Sequence, residues 1–455
     1  MRIGLFAGLV VACAAPAARA VPSFARQTGA PCITCHTAFP QLTPFGREFK
    51  LSGYTLSTTR SLLPPVAVML QGAPGYTRTK KNQAADDVPS GFTRNDNVSL
   101  NQISLFYAGR LFGPYADRLL PEQVASVLDK FGTFTQVTWD GVEHNWSWDN
   151  TEVRFADATR VAGKNLIYGI SVNNNPTMED VYNTTPAWGF PFSGSSLAPS
   201  PTAAPLLAGG LSQQVLGFGG YAKVADLLYV EGGGYYTLGG NLQRHLGVDP
   251  SGETELASFA PYWRIALEKD FGASSLEIGT YGMQASTYPG RMHGAGSDEL
   301  TDIGADLQYQ YLSGVNDLTV LLNGINERAR WSASHRLGLA DNGTDTLWTS
   351  SATVSYLFDK TYGADVQYFI TNGNTDATLY GSRTGSPESR GFVFQLDWLP
   401  FNKRGGPAFW DKSNVKVSLQ YILYQRFDGS ANNYDGSGRD ASDNDTLYLQ
   451  LWLAF

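Results

Sequence analysis

The chain has 455 residues, with 33 basic and 41 acidic side chains and a formal net charge of −8. That acidic balance argues against nucleic acid as a partner, because phosphate backbones are held by basic clusters. Three cysteines cannot build a disulfide framework, and beyond the N-terminus no run of about 18 apolar residues offers a membrane-spanning helix. Yet 49 glycines and 13 % aromatic residues, without a long helical period, are unusual for a soluble enzyme of this length. A membrane assignment must therefore come from strands.

Residues 1–20, MRIGLFAGLVVACAAPAARA, begin with one basic residue, run through an apolar core from Ile3 to Ala15, and end in Ala18-Arg19-Ala20. This pattern predicts a secretory signal with an A-x-A cleavage site. The alternative is lipidation at Cys13 within Val10-Val11-Ala12-Cys13. Cleavage would make Val21 the first residue, leave the chain more acidic by two charges, and retain only Cys32 and Cys35.

Cys32-Ile33-Thr34-Cys35-His36 has the spacing for covalent c-type haem attachment, in which two thiols add to the vinyl groups and the adjacent histidine reaches the iron. A zinc site would need a second ligand pair, and a redox C-x-x-C would need a thioredoxin-like βαβ context; the sequence supplies neither. Downstream, Thr43 can cap a short helix with Pro44 at its first position, running to Leu51 and stopped by Ser52-Gly53. Phe45 and Phe49 fall one turn apart on that helix, suited either to cover a haem edge or to plain packing. Residues 21–62 are thus expected to form a small α-helical cytochrome segment holding one haem c. Met69 is the candidate distal iron ligand, against the alternative of a packing methionine. Met178, Met283, Met292, His144, His245, His293 and His335 lie farther along the chain.

From about Val66 onward, residues 63–455 alternate apolar and polar positions in runs of roughly ten, the pattern of an outer-membrane β-barrel. At the C-terminus Leu447, Leu449, Leu451, Leu453 and Phe455 share one face, and Tyr448, Gln450 and Trp452 the other. Ile303, Ala305, Leu307, Tyr309 and Tyr311 alternate with Asp306, Gln308 and Gln310; Phe392, Phe394, Leu396 and Trp398 alternate with Gln395 and Asp397. Inward acidic and amide residues predict a wet lumen. Short turns at Gly163-Lys164, Ala225-Asp226, Gly272-Ala273, Gly314-Val315 and Lys360-Thr361 alternate with long loops at 79–96, 176–211, 241–257, 287–298, 333–345, 373–388 and 428–443. Roughly sixteen antiparallel strands follow, with short turns and both termini periplasmic and long loops outside. Two short-side connections are longer: Glu122 to Lys130, a small helix with Val124, Val127 and Leu128 on one face, and Asn402 to Asn414, with Phe409 and Trp410 as interfacial aromatics.

Several stretches resemble the fused outer-membrane cytochrome-porins associated with iron-oxidising bacteria: Pro22 to Gly29, Cys32 to His36, LTPFGREFKLSGY (42–54), FGTFTQVTWDG (131–141), SWDNTEVRFA (147–156) and NNNPTMEDVYNTTPAWGFPF (173–192). They cover roughly the first two hundred residues; later strands match in pattern only. The resemblance implies a monohaem segment lining or plugging an all-β, transmembrane antiparallel barrel. It also implies electron transfer from extracellular Fe(II), or another reductant, to a periplasmic cytochrome or similar soluble carrier. Cys32, Cys35 and His36 are the residues that carry over. A solute channel with an accessory haem, and outward electron delivery to an extracellular acceptor, are the competing readings.

Overall fold

The computed structural model describes residues 22–57, 64–189, 191–248, 254–403, 406–407 and 413–455. The expected signal, the expected boundary after residue 62, and Phe409 and Trp410 lie outside the described residues. Eighteen strand segments run in chain order: β1 (Val66–Thr79), β2 (Asn97–Ser99), β3 (Gln102–Arg110), β4 (Phe131–Asp140), β5 (Asn145–Val161), β6 (Lys164–Asn173), β7 (Val215–Val224), β8 (Leu228–Thr237), β9 (Glu255–Leu256), β10 (Ala260–Phe271), β11 (Ser274–Tyr288), β12 (Asp298–Leu312), β13 (Asn316–Arg330), β14 (Thr344–Phe358), β15 (Tyr362–Gly373), β16 (Ser389–Trp398), β17 (Asn414–Arg426) and β18 (Thr446–Ala454). β2 and β3 both pair with β1, and β9 and β10 lie in succession against β11, so each duo is one interrupted strand of the wall. The result is a sixteen-stranded antiparallel barrel, closed where β1 meets β18 with Met69 opposite Ala454. Closure satisfies every edge, which a sheet surrounded by hydrocarbon requires.

The alternation read from the sequence sets the two faces of the wall. Ile303, Phe394, Leu396, Leu419 and Leu449 are exposed on the outside, while Asp306, Gln308, Gln310, Gln395, Asp397, Tyr448 and Gln450 are buried within. Tyr311, Tyr356, Tyr362 and Trp398 are exposed where strands approach the short turns, an aromatic girdle at the level of a membrane interface. The start of β1 and the end of β18 lie on this same short-turn rim.

Two expectations are corrected. The inward polar side chains do not face an open wet lumen: they are buried against chain that enters the barrel. Part of that chain is the stretch expected as an outer loop at 176–211, of which Asn174–Thr185 is buried throughout. It folds inward because its Asp180 is matched by Arg264 on the wall. The short helix expected between Glu122 and Lys130 forms at Glu122–Leu128, with Val124 and Val127 exposed and Ala125 buried.

Candidate functional site

The other inserted piece is the N-terminal segment: α1 (Pro22–Thr28), α2 (Cys32–Cys35) and α3 (Pro44–Leu51). α3 has the expected bounds. Thr43 Oγ1 accepts from Gly46 N at 3.2 Å and donates to Thr34 O at 2.6 Å, so one hydroxyl caps α3 and ties it to the Cys-His turn. Thr43 N donates to Cys35 O at 2.9 Å. Gly46 is required at the crossing: a Cβ there would lie 2.2 Å from Cys35 O.

Short helices leave carbonyls unsatisfied, and the barrel wall supplies the donors. Gln310 Nε2 donates to Leu42 O at 2.9 Å, Tyr221 OH to Leu51 O at 2.8 Å, and Asn402 Nδ2 to Thr37 O at 3.1 Å. In return Arg47 donates to Glu268, Gln308, Gln310 and Ser275, and Tyr54 OH to Glu152 Oε2 at 2.5 Å. Lys50 Nζ donates to Met178 O, Asp180 O and Asn183 Oδ1, which binds the segment to the inserted strap, and it sits 4.2 Å from the centre of the Trp188 ring. Burial pulls the Lys50 ammonium down to about 8.

Between segment, strap and wall lies a cavity of about 420 Å³. Cys32, Cys35 and His36 line it, and so does Met69, whose inward register on β1 brings it there from a distant part of the sequence. Phe24, Phe39, Phe49, Phe106, Phe134 and Trp452 form its apolar wall. Phe49 is buried and packs edge-on against Phe24 at 4.9 Å, whereas Phe45 is exposed and does not line the cavity. The two phenylalanines therefore divide, one facing the cavity and one not. Met178, Met283, Met292, His144, His245, His293 and His335 do not line it among the described residues.

Electrostatics at the turn favour neutral groups. Burial, and then the neighbouring Cys32, push the Cys35 thiol up to about 12, so it is not a thiolate. Burial holds the His36 imidazole down to about 4, against a smaller opposing pull from the Gln41 and Pro40 backbone. His36 Nδ1 is buried without a hydrogen-bond partner. Among the described residues no group of three or more His, Cys, Asp or Glu side chains is placed to hold a metal ion.

These features fit a c-type haem: two cysteines one helical turn apart, a neutral imidazole beside them, a methionine on the wall, and an aromatic cavity adjoining all four. Sequence reasoning named all four candidate residues. It missed the strap contribution of Trp188 and Asn183, and no local signal marks a long loop as folding inward.

No family model matches the chain, and no curated protein matches it. Solved structures similar to it are porins. An anion-selective porin from Comamonas acidovorans has a TM-score of 0.44 at 12 % identity, over 85 % of this chain and 97 % of that one. OmpT, an outer membrane protein of Vibrio cholerae, has 0.41 at 11 %, over 86 % and 97 %. The outer membrane channel DcaP of Acinetobacter baumannii has 0.43 at 8 %, over 86 % and 96 %. The fold is a closed sixteen-stranded antiparallel barrel.

Proposed function

We propose that the chain is an outer-membrane electron-transfer protein, with its short-turn rim and both termini periplasmic. In this reading it takes electrons from an extracellular donor, Fe(II) or another small reductant, and delivers them to a periplasmic cytochrome or similar soluble carrier. The observation that carries the reading is the convergence of Cys32, Cys35, His36 and Met69 on one cavity inside a lipid-facing barrel. Cys32 and Cys35 would hold haem c by thioether bonds, and His36 and Met69 would ligate its iron. So held, the iron supplies reversible one-electron storage at a potential raised by a methionine ligand.

The chain's own residues do the rest. Phe39, Phe49 and Trp452 keep water from the apolar end of the cavity, and Lys50 fixes the strap over it. The anchors from Arg47 to Glu268 and from Tyr54 to Glu152 hold the segment at one depth in the wall. A hydrocarbon layer about 30 Å thick bars soluble ions, so a redox group held within the lumen must be met from both rims.

The test is spectroscopic. Protein purified in detergent is expected to keep a c-type haem through denaturing electrophoresis, and added Fe(II) is expected to reduce the oxidised form. Loss of haem on denaturation sinks the cytochrome reading. A spectrum unmoved by Fe(II) but reduced by dithionite sinks only the iron donor.

The barrel fold itself favours a second reading, a solute channel, since sixteen strands can enclose an aqueous path. It predicts single-channel conductance in planar bilayers that is the same for wild type and for Cys32→Ala/Cys35→Ala.

A further inference from the structure

The cavity wall changes chemistry along its depth. Going away from the short-turn rim, inward positions read Ala67, Met69, Gln71 on β1, then Phe106, Ser104, Gln102 on β3, and Phe134, Gln136, Thr138 on β4. Each strand passes from apolar to polar in the same direction. At the polar end stands Asp149 of β5, which also lines the cavity.

Hydrogen counting fixes how these polar groups point. Thr138 Oγ1 donates its one hydrogen to Asp149 Oδ2 at 2.6 Å. The contact between Ser104 Oγ and Thr138 Oγ1, 2.9 Å, must then use the serine hydrogen. With that hydrogen spent, any amide approaching Ser104 must present its NH2: Gln136 Nε2 does so at 3.0 Å and Gln102 Nε2 at 3.3 Å. Gln136 Nε2 also donates to Thr138 Oγ1 at 3.0 Å. Both carbonyl oxygens, Gln102 Oε1 and Gln136 Oε1, are left as acceptors without a partner among the described residues. Gln71 faces the same space and makes no side-chain hydrogen bond among the described residues. Asp149 is an acceptor throughout, taking further hydrogens from Asn150 N at 2.7 Å and Gln213 Nε2 at 3.1 Å.

We propose that this polar end of the cavity is a seat for one hydrated divalent cation, held through its water ligands by Asp149 and the carbonyl oxygens of Gln71, Gln102 and Gln136. A carboxylate and amide carbonyls are hard oxygen acceptors, and a hydrated cation presents only donors. One carboxylate without nitrogen or sulfur ligands holds the hydrated ion rather than stripping it. Lys50, the cation on the cavity wall, turns its ammonium hydrogens away to Met178 O, Asp180 O and Asn183 Oδ1, and the carboxylates of Glu152, Asp180 and Glu179 lie close enough to offset its charge. The seat adjoins the apolar space beside His36 in the same cavity. Under the proposed function it is where the electron donor rests; that name for the ion depends on the haem reading, but the binding does not.

The probe is Mn(II), titrated into the full chain in detergent and followed by loss of the free-ion EPR signal. Wild type is expected to show one saturable site, weakened at least tenfold by Asp149→Asn and several-fold by Gln71→Leu, and unchanged in Cys32→Ala/Cys35→Ala. No saturable site in wild type, or equal affinity in Asp149→Asn, overturns the seat. Should Asp149→Asn fail to fold, Gln71→Leu decides, and an unchanged affinity overturns the proposal. Binding in a wild-type chain that carries no covalent haem supports the seat while removing the electron-transfer reading.

Discussion

Arg47 and Glu268, 221 residues apart, meet at 2.8 Å inside the barrel with side chains only 3 % and 4 % exposed. A guanidinium carried on a short helix thereby finds its counter-charge on the wall, and Gln308, Gln310 and Ser275 take its remaining hydrogens. A buried ion pair is costly to break, because the abandoned charge keeps its desolvation penalty.

Arg47→Ala should therefore destabilise the inserted segment by about 1–3 kcal/mol, since Lys223 still pairs with Glu268 while Gln308, Gln310 and Ser275 lose their donor. Denaturant titration in micelles, followed by proteolysis of the N-terminal segment, measures this. Arg47→Ala should also raise single-channel conductance as the segment loosens. Unchanged protection from protease would show that Arg47 is not the anchor.

Lys50 gives a pH signature. Its ammonium is held at about 8 against an ordinary value near 10.5, chiefly by burial. The folded chain therefore binds fewer protons than the unfolded one between those values, and stability rises with pH across that window. Relative to Lys50→Met, which cannot titrate, wild type should gain at most about 3 kcal/mol between pH 8 and 10.5. Paired unfolding curves at the two ends of the window check the sign; a wild type that loses stability relative to Lys50→Met as pH rises contradicts it.

Met69→His and Met69→Leu separate a ligand from a packing residue. A methionine on the iron raises the potential, so the histidine variant should lower the haem potential, with the covalent haem content unchanged. Met69→Leu should alter the spin state of the oxidised form. If spectroelectrochemistry finds both variants at the wild-type potential, Met69 merely packs against Phe39 and Trp452.

Gly46→Ala tests the crossing of α3 over the Cys-His turn. The added methyl meets the Cys35 backbone at 2.2 Å, where no flexible side chain can yield. A destabilisation of about 1–3 kcal/mol is expected, of the size that overpacking produces. Chemical unfolding of the segment, compared with the same change at exposed Gly343, where an added methyl meets nothing and the backbone is not left-handed, measures it.

Much of the barrel was legible because lipid outside and polar contacts inside impose a strict period of two. Leu449 and Leu396 face out, and Tyr448, Gln395 and Asp397 face in, as their positions require. α3 was legible for a local reason: Thr43, Pro44 and Gly53 are a cap, a first-turn proline and a stop within one short stretch. The strap was not legible. Asn174–Thr185 has the polar composition of an exposed loop, and those same polar groups bury it once Arg264, Lys50 and Tyr235 supply partners.

By itself the sequence determined the period, the sixteen strands, the Cys-x-x-Cys-His turn and the inventory of inward polar groups, all of which depend on neighbours along the chain. Only the tertiary structure decided that the lumen is filled, that Met69 and Asp149 share a cavity with His36, and which amide oxygens face into it. Those outcomes depend on charge pairs and hydrogen bonds between different strands and inserted segments, in the case of Arg47 and Glu268 221 residues apart. Barrel closure sets that pairing, and no local pattern encodes it.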